Sequence, residues 1–449
     1  MEKKAIFRCL DETFDGKGII NYTNKNYQID GILKNEEGEF VINKQAKFPL
    51  TLQKIIKKSE NRENKCCPLY LSCGGCQYQH MNYEHEIELK EKFFKDIFSH
   101  FRDYNYLGLK KMDNVYNYRN KCQMTFKLSK SHKVTSGLYE EHTHKLVSVI
   151  DCNIQNKKAV TILHSLNKVL SKHHISIYDE YSRTGVLRHV LLRFGQFSDE
   201  VMLILVTNGE NFPGRNNVVK DLLKENIGIT TIVQNINSRD TSIVLSDKER
   251  ILYGPGFIYD YIGNLKFKIS SRAFYQVNSE GMNKLYTDAV RLAEIKKSDI
   301  VLDTYCGVGT IGIIASKNAN KVYGVELNKS SYKDAIVNAK INNIDNIKFF
   351  NEDSTKFMLS LSKESEKVDV VIMDPPRSGS TKEFIQSVAK LGPKKIVYVS
   401  CNPLTLERDC FEFSKVGYSL KKLEAVDMFP KTFNLESIAI LTKTKSNKR

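Results

Sequence analysis

The chain has 449 residues, more than one compact core accommodates, which points to two or three domains. Its 68 Lys and Arg against 52 Asp and Glu leave a formal charge of +16, which favours a polyanionic partner, because phosphate contacts release counterions, but does not separate RNA from DNA. It contains no run of about 20 apolar residues and its first residues lack a signal peptide's apolar stretch, so the expectation is a cytoplasmic protein with no membrane contact.

Residues 1–58 alternate short apolar stretches with turn residues, as in GKGIINYTNKNYQIDGILKNEEGEFVI, and predict a small N-terminal β-barrel whose Lys content suits oligonucleotide binding. The charged run KIIKKSENRENK, residues 54–65, reads as a linker. Ten cysteines in a reducing compartment do not form a disulfide framework, so clustered ones raise metal binding or catalysis. CPLYLSCGGC crowds Cys67, Cys73 and Cys76 into one loop whose glycines permit sharp turns. Three close thiolates and one distant one suit an iron–sulfur cluster. Zinc competes, since it also accepts four cysteines, although paired C-x2-C knuckles are missing.

HEIELKEKFFKDIF predicts an amphipathic helix, and the chain to residue 270 mixes strands such as HKLVSVIDC, GVLRHVLLRF and EVMLILVT with occasional helices. Residues 59–270 therefore read as a mixed α/β substrate-handling domain. Within it, VYNYRNKCQMTF offers Tyr118, Arg119 and Lys121 either as a grip on RNA or as ordinary surface and core residues of a strand.

Over residues 271–449 strands and helices alternate regularly, which predicts a parallel doubly wound sheet with ligands beyond the carboxyl ends of its strands. In IVLDTYCGVGTIG, Gly307 and Gly309 would let the backbone approach a ligand, with Asp303 near the methionyl part of a nucleoside ligand and Tyr305 packing on it. Glu326, ending the next strand, can accept from two ribose hydroxyls, and Asp353, ending the third, would lie beside adenine. Such a turn alone also fits an ordinary doubly wound domain that binds a dinucleotide. The Asp374-Pro-Pro loop of VVIMDPPRSG argues otherwise, because a stiff loop with free carbonyls suits a nucleobase substrate.

KIVYVSCNPLTLERD puts Cys401 at the same sheet edge. Carbon 5 of a pyrimidine is a poor nucleophile until a thiolate adds to carbon 6, and the proton on carbon 5 must then leave to a base. Cys401 is the candidate nucleophile and Glu436, in MFPKTFNLESIAIL, the candidate base.

The segments ISSRAFYQVN, DTYCGVGT, VYGVELN, MDPPRSG, VSCNP and the terminal P-x-T-x-N-L-E together resemble the RNA uracil-5 methyltransferase family over essentially the whole chain. The resemblance implies a class I, Rossmann-like S-adenosylmethionine methyltransferase domain behind an N-terminal barrel of the OB or TRAM type. It further implies that Gln276, Tyr305, Glu326 and Asp374 hold the methyl donor, with Gln276 and Asp374 also close to the uracil, Cys401 as nucleophile and Glu436 as base. It assigns Cys67, Cys73, Cys76 and Cys152 to a 4Fe-4S cluster; the adjacent Cys66 is the alternative to Cys67, but the following Pro68 and the spacing favour Cys67. The cysteine motif and barrel look like the 23S ribosomal RNA branch, so the expected enzyme is a monomer that methylates 23S rRNA, with transfer RNA as the competing substrate. An inert RNA-binding assembly factor is the alternative from another class, and the intact Cys401 and Glu436 argue against it. One departure from the family pattern is Asn434, which stands where His is common.

Overall fold

The computed structural model describes the chain except residues 1–2, 130, 132, 141–142, 144, 150, 242, 365 and 445–449. Its largest sheet has eight strands in the order Ile347–Phe350, Lys321–Val325, Ile300–Thr304, Val370–Met373, Lys395–Ser400, Glu436–Lys443, Tyr418–Val426 and Asn105–Lys110. The first five run parallel, and Glu436–Lys443 lies antiparallel to both of its neighbours. Segments such as VVIM and IVYVS are apolar at successive positions because helices cover both faces of the sheet. Val301, Ile372 and Val399 pack on one face with Leu285, Ile311 and Ala339, whereas Leu302, Met373 and Tyr398 pack on the other with Phe357, Val388 and Phe413. This alternation is the two-residue period of a strand, and it sends the strand ends to a single edge.

The expected linker is structured: residues 54–57 belong to the strand Leu50–Lys57, which pairs with Glu37–Ile42. Beyond it, the Arg62 guanidinium grips the fully buried Glu36 carboxylate and donates to the Gly31 carbonyl at 2.8 Å. A charge run reads as solvated, and here one of its cations is the half-buried counter-ion of a buried carboxylate. The N-terminal residues form two three-stranded antiparallel sheets around Ile20, Ile32 and Phe40.

A seven-stranded sheet follows, in the order Leu146–Ser148, Val134–Tyr139, Lys121–Leu128, Leu187–Phe194, Val201–Thr207, Thr231–Ile236 and Glu249–Tyr253, with helices Lys157–Lys172 and Arg215–Lys224 against it. Sheet membership does not follow a boundary at residue 270. The strand Asn105–Lys110, from inside the expected 59–270 unit, extends the C-terminal sheet beside Tyr418–Val426. The hairpin Phe257–Ile262 and Leu265–Ser270 also docks there, through backbone hydrogen bonds of Lys266 and Lys268 to the side-chain amides of Asn342 and Asn338. Among the described residues, no helix is long and apolar enough to cross a membrane.

Helix Tyr83–Ile97 is tied to the C-terminal unit by charge. The fully buried Lys90 donates to Glu86 at 2.7 Å and to Asp427 at 2.5 Å, so one ammonium balances two carboxylates on segments distant in sequence. Lys90→Met would leave Asp427 without a described ion pair and Glu86 with only the Lys431 ammonium at 3.8 Å, and is expected to cost about 3–5 kcal/mol. Removing the exposed partner of Glu39 by Lys4→Met should cost under about 1 kcal/mol. Urea unfolding of the two variants checks this, and equal losses would show that the buried pair does not anchor the helix.

Candidate active site

Four parallel strands deliver expected site residues to the same edge. Tyr305 follows Ile300–Thr304, Glu326 follows Lys321–Val325, Asp374 follows Val370–Met373 and Cys401 follows Lys395–Ser400. Asp353 lies three residues beyond the fifth parallel strand, Ile347–Phe350, as the N-cap of helix Ser354–Lys363, where its side chain accepts from the Lys356 N–H at 3.0 Å. Thr304 and Met373 are paired, so Tyr305 and Asp374 lie one step beyond the same rung. Across the antiparallel ladder Ser400 faces Ser437, and the Ser437 hydroxyl donates to the Ser400 carbonyl at 3.1 Å. Cys401 and Glu436 are the residues next to this last pair on their two segments, and the charge of Glu436 acts on the Cys401 thiol.

Gln276 comes from a different element, the loop before helix Ser279–Ala293, yet lines the same cleft as Tyr305, Gly307 and Asp374. The link is Tyr286, a residue the motif reading missed. Its hydroxyl accepts from the Gln276 amide and donates to Asp374, both at 3.2 Å, and its ring is buried. A tyrosine inside an amphipathic helix carries no sequence sign of such a role. Only the helix's apolar periodicity, which turns Tyr286 inward, hints at its burial.

Among the described residues, no ion pair reaches the buried carboxyl groups Asp303, Asp374 and Glu436 of this edge. Asp303 and Glu436 are each 1% exposed. Burial pushes Asp303 up to about 8, opposed by the Gly312 N–H that donates to it at 2.7 Å. Burial pushes Asp374 up to about 7, opposed by the Tyr286 hydroxyl. Glu436 is raised well above the usual carboxylate range, first by burial and then by the charge of Asp374, and neither of its oxygens has a hydrogen-bond partner among the described residues. Burial also pushes the Cys401 thiol up to about 11, with Glu436 and Asp374 adding to the rise and Arg377 opposing it.

Two expectations about the turn are refined. Gly307, at φ +57°, has open space where a Cβ would stand, so its backbone is accessible, and its N–H donates to Glu326 at 2.9 Å. Gly309 instead faces inward, where a Cβ would come within 2.9 Å of the Phe349 ring, so it serves packing and not ligand approach. Glu326 also accepts from the Asn328 N–H at 2.6 Å, and its carboxylate retains further acceptor capacity for hydroxyls.

Tyr118 is corrected as an RNA grip: it is buried, and its hydroxyl donates to the Pro430 carbonyl at 3.0 Å. Lys121 is largely enclosed, and burial together with Arg193 and Arg119 lowers its ammonium to about 8. The four cysteines expected to bind metal gather in one region. Burial raises Cys67, Cys73, Cys76 and Cys152, and their mutual repulsion adds to it, taking Cys76 to about 12. Among the described residues, no three His, Cys, Asp or Glu side chains converge at metal-binding distance. A polar cavity of about 420 Å³ opens beside Cys73 and Cys76 and is also lined by Phe433.

A family model described as tRNA (Uracil-5-)-methyltransferase matches residues 234–444. An uncharacterized RNA methyltransferase of Clostridium tetani (strain Massachusetts / E88) is 37% identical over 431 residues, 95% of this chain and 94% of that protein. One from Staphylococcus aureus (strain N315) is 37% identical over 436 residues, 96% of each. In fold the chain is similar to the crystal structure of Pyrococcus abyssi tRNA (uracil-54, C5)-methyltransferase in complex with S-adenosyl-L-homocysteine, with a TM-score of 0.77 and 26% identity over 98% of this chain and 100% of that one. With kinship along nearly its whole length and a Rossmann-like sheet whose edge carries the cleft, the chain belongs to the tRNA (uracil-5-)-methyltransferase family and is an S-adenosylmethionine-dependent RNA methyltransferase.

Proposed function

We propose that this enzyme methylates carbon 5 of a uridine in RNA, with Cys401 as covalent nucleophile and Glu436 as base. The observation that carries the reading is that Cys401 and Glu436 directly adjoin the Ser400–Ser437 pair, with the charge of Glu436 acting on the Cys401 thiol. Addition of the Cys401 thiolate to carbon 6 shifts the double-bond electrons to carbon 5. When bound, S-adenosylmethionine supplies an electrophilic methyl group on a positively charged sulfur. Glu436 then takes the proton from carbon 5, the carbon–sulfur bond to Cys401 breaks and the thiolate is restored. An unpartnered, desolvated carboxylate suits that step, because burial makes it a stronger base than a solvated one.

Gln276, Tyr305, Glu326, Asp353 and Asp374 are the proposed donor-binding residues. The lack of cations beside Asp303, Asp374 and Glu436 supports a cationic ligand, since an uncompensated carboxylate gains most from a positive partner. Asn434 leaves the orientation of Glu436 to the backbone: its N–H and its side-chain amide both donate to the Thr432 hydroxyl, at 3.2 and 3.3 Å.

The target base must leave its stack, at a cost of a few kcal/mol. We assign 23S rRNA as the substrate, on the cysteine motif and on a TRAM-like reading of the N-terminal sheets. Transfer RNA is the second reading, favoured by the family description and by the substrate printed for the Pyrococcus abyssi enzyme. Methylation of 23S and tRNA transcripts side by side separates the two.

An all-thiol donor set in one region fits a 4Fe-4S cluster held by Cys67, Cys73, Cys76 and Cys152, and methyl transfer requires no electron, so its proposed role is to organise the substrate-handling domain. Anaerobically purified protein should contain iron and sulfide that are lost when the four are replaced by Ser. Iron retained in that variant, or cluster-free protein with unchanged fold and RNA affinity, would contradict this assignment.

RNA containing 5-fluorouracil should trap a stable covalent adduct with the wild type and none with Cys401→Ala, as read by denaturing gel and mass spectrometry. Glu436→Gln should accumulate a methylated adduct on ordinary RNA, because the base acts after methyl transfer. An adduct of equal stability in Cys401→Ala would remove that residue from its role.

A further inference from the structure

The loop that carries Gln276 and the loop that leads into Glu436 are both linked by hydrogen bonds to segments that directly follow cysteines. After Cys76, the backbone N–H groups of Gln77 and Tyr78 both donate to the Lys431 carbonyl at 3.1 Å. After Cys152, the Asn153 carbonyl accepts from the Asn117 N–H at 2.8 Å and the Ile154 carbonyl from the Arg119 N–H at 2.9 Å. The two cysteine segments are joined by the Asn153 amide donating to Gln79 at 3.1 Å. From this frame Asn120 reaches the other way. Its backbone N–H donates to the Val277 carbonyl at 2.7 Å, and its side-chain amide donates to the Gln276 carbonyl at 2.9 Å and the Ser279 hydroxyl at 2.8 Å.

Lys431 is held as firmly. It is 1% exposed and sits at φ +68°, a left-handed conformation that a residue with a side chain adopts only when its surroundings impose it. Its N–H donates to Glu86 at 2.7 Å and its ammonium to the Met81 carbonyl at 2.9 Å. The Thr432 hydroxyl closes the next turn on the Phe429 carbonyl at 2.9 Å and accepts from the Asn434 N–H, so little slack remains between Lys431 and Glu436. Neither Asn120 nor Lys431 lines the cleft occupied by Gln276 and Asp374.

We infer that Asn120 and Lys431 are positioning residues, through which the cysteine-bearing segments set Gln276 and Glu436, respectively, against the reacting base. The inference rests on the covalent reading above and assigns the two residues to different steps. Lys431 serves the proton removal that releases the product, and Asn120 serves the methyl transfer that precedes it. A residue that merely supports folding would affect both steps alike.

Single-turnover reactions of the full chain with an RNA fragment separate the steps, since methyl transfer and decay of the methylated Cys401 adduct are read independently by mass spectrometry. Lys431→Met should slow adduct decay by about tenfold or more while leaving methyl transfer within about threefold of wild type, and Lys431→Arg should restore decay. Asn120→Asp, which replaces two hydrogen-bond donations by a carboxylate facing a carbonyl, should slow methyl transfer or raise the KM for the methyl donor, with adduct decay unchanged. Equal slowing of both steps, in proportion to the folded fraction seen by circular dichroism, would overturn the assignment of the residue concerned, as would no change in either. If the wild type forms no adduct, the covalent reading itself fails. If it forms and clears one as fast as Lys431→Met does, only the positioning role is lost.

Discussion

Desolvation of carboxyl groups at one sheet edge is the constraint on which the site depends. Asp303, Asp374 and Glu436 sit where parallel strands end, with no described ion pair to offset their burial. The folded Asp374 keeps its proton up to about 7, whereas an unfolded chain releases it in the ordinary carboxylate range. As pH rises through that window the unfolded state becomes relatively more favoured, so Asp374 subtracts stability from the enzyme at neutral pH. A cationic ligand reverses the sign of this effect. The edge is therefore unfavourable when empty, and under the proposed donor assignment a sulfonium would draw on that difference as binding energy.

Holding such a site requires a stiff surround, and the chain supplies it by crossing between units. Helix Tyr83–Ile97 sends Lys90 to Asp427, the strand Asn105–Lys110 closes the far side of the sheet, and the Phe257–Ser270 hairpin packs on helix Lys329–Ile341. A catalytic unit cut at residue 271 would lose an edge strand and a buried counter-ion together. The cysteine region participates in the same surround, because its backbone bonds end on the loops of Gln276 and Glu436.

What was legible in the sequence was local. The alternation of apolar strands and helices marked the Rossmann-like sheet, and an acidic or sulfur-bearing residue just beyond each strand marked its edge. Tyr286 was illegible because its role arises from two partners, Gln276 and Asp374, that are remote in sequence from one another. Arg62 looked solvated because its neighbours are charged, whereas its buried partner Glu36 lies in a different strand region. NYLGLK could not announce itself as an edge strand of a sheet built some 200 residues later, since pairing partners leave no trace in a six-residue stretch. Gly309 resembled a ligand contact, but the neighbouring Phe349 ring, not a ligand, demands its lack of a side chain.

The central claim is that the family chemistry is exercised on carbon 5 of uridine in RNA. The most direct measurement is mass-spectrometric nucleoside analysis of purified 23S rRNA and tRNA from cells with and without the gene. The account predicts that 5-methyluridine disappears from a 23S rRNA position when the gene is deleted and returns with the wild-type chain but not with Cys401→Ala. Unchanged 5-methyluridine in both RNAs would contradict it.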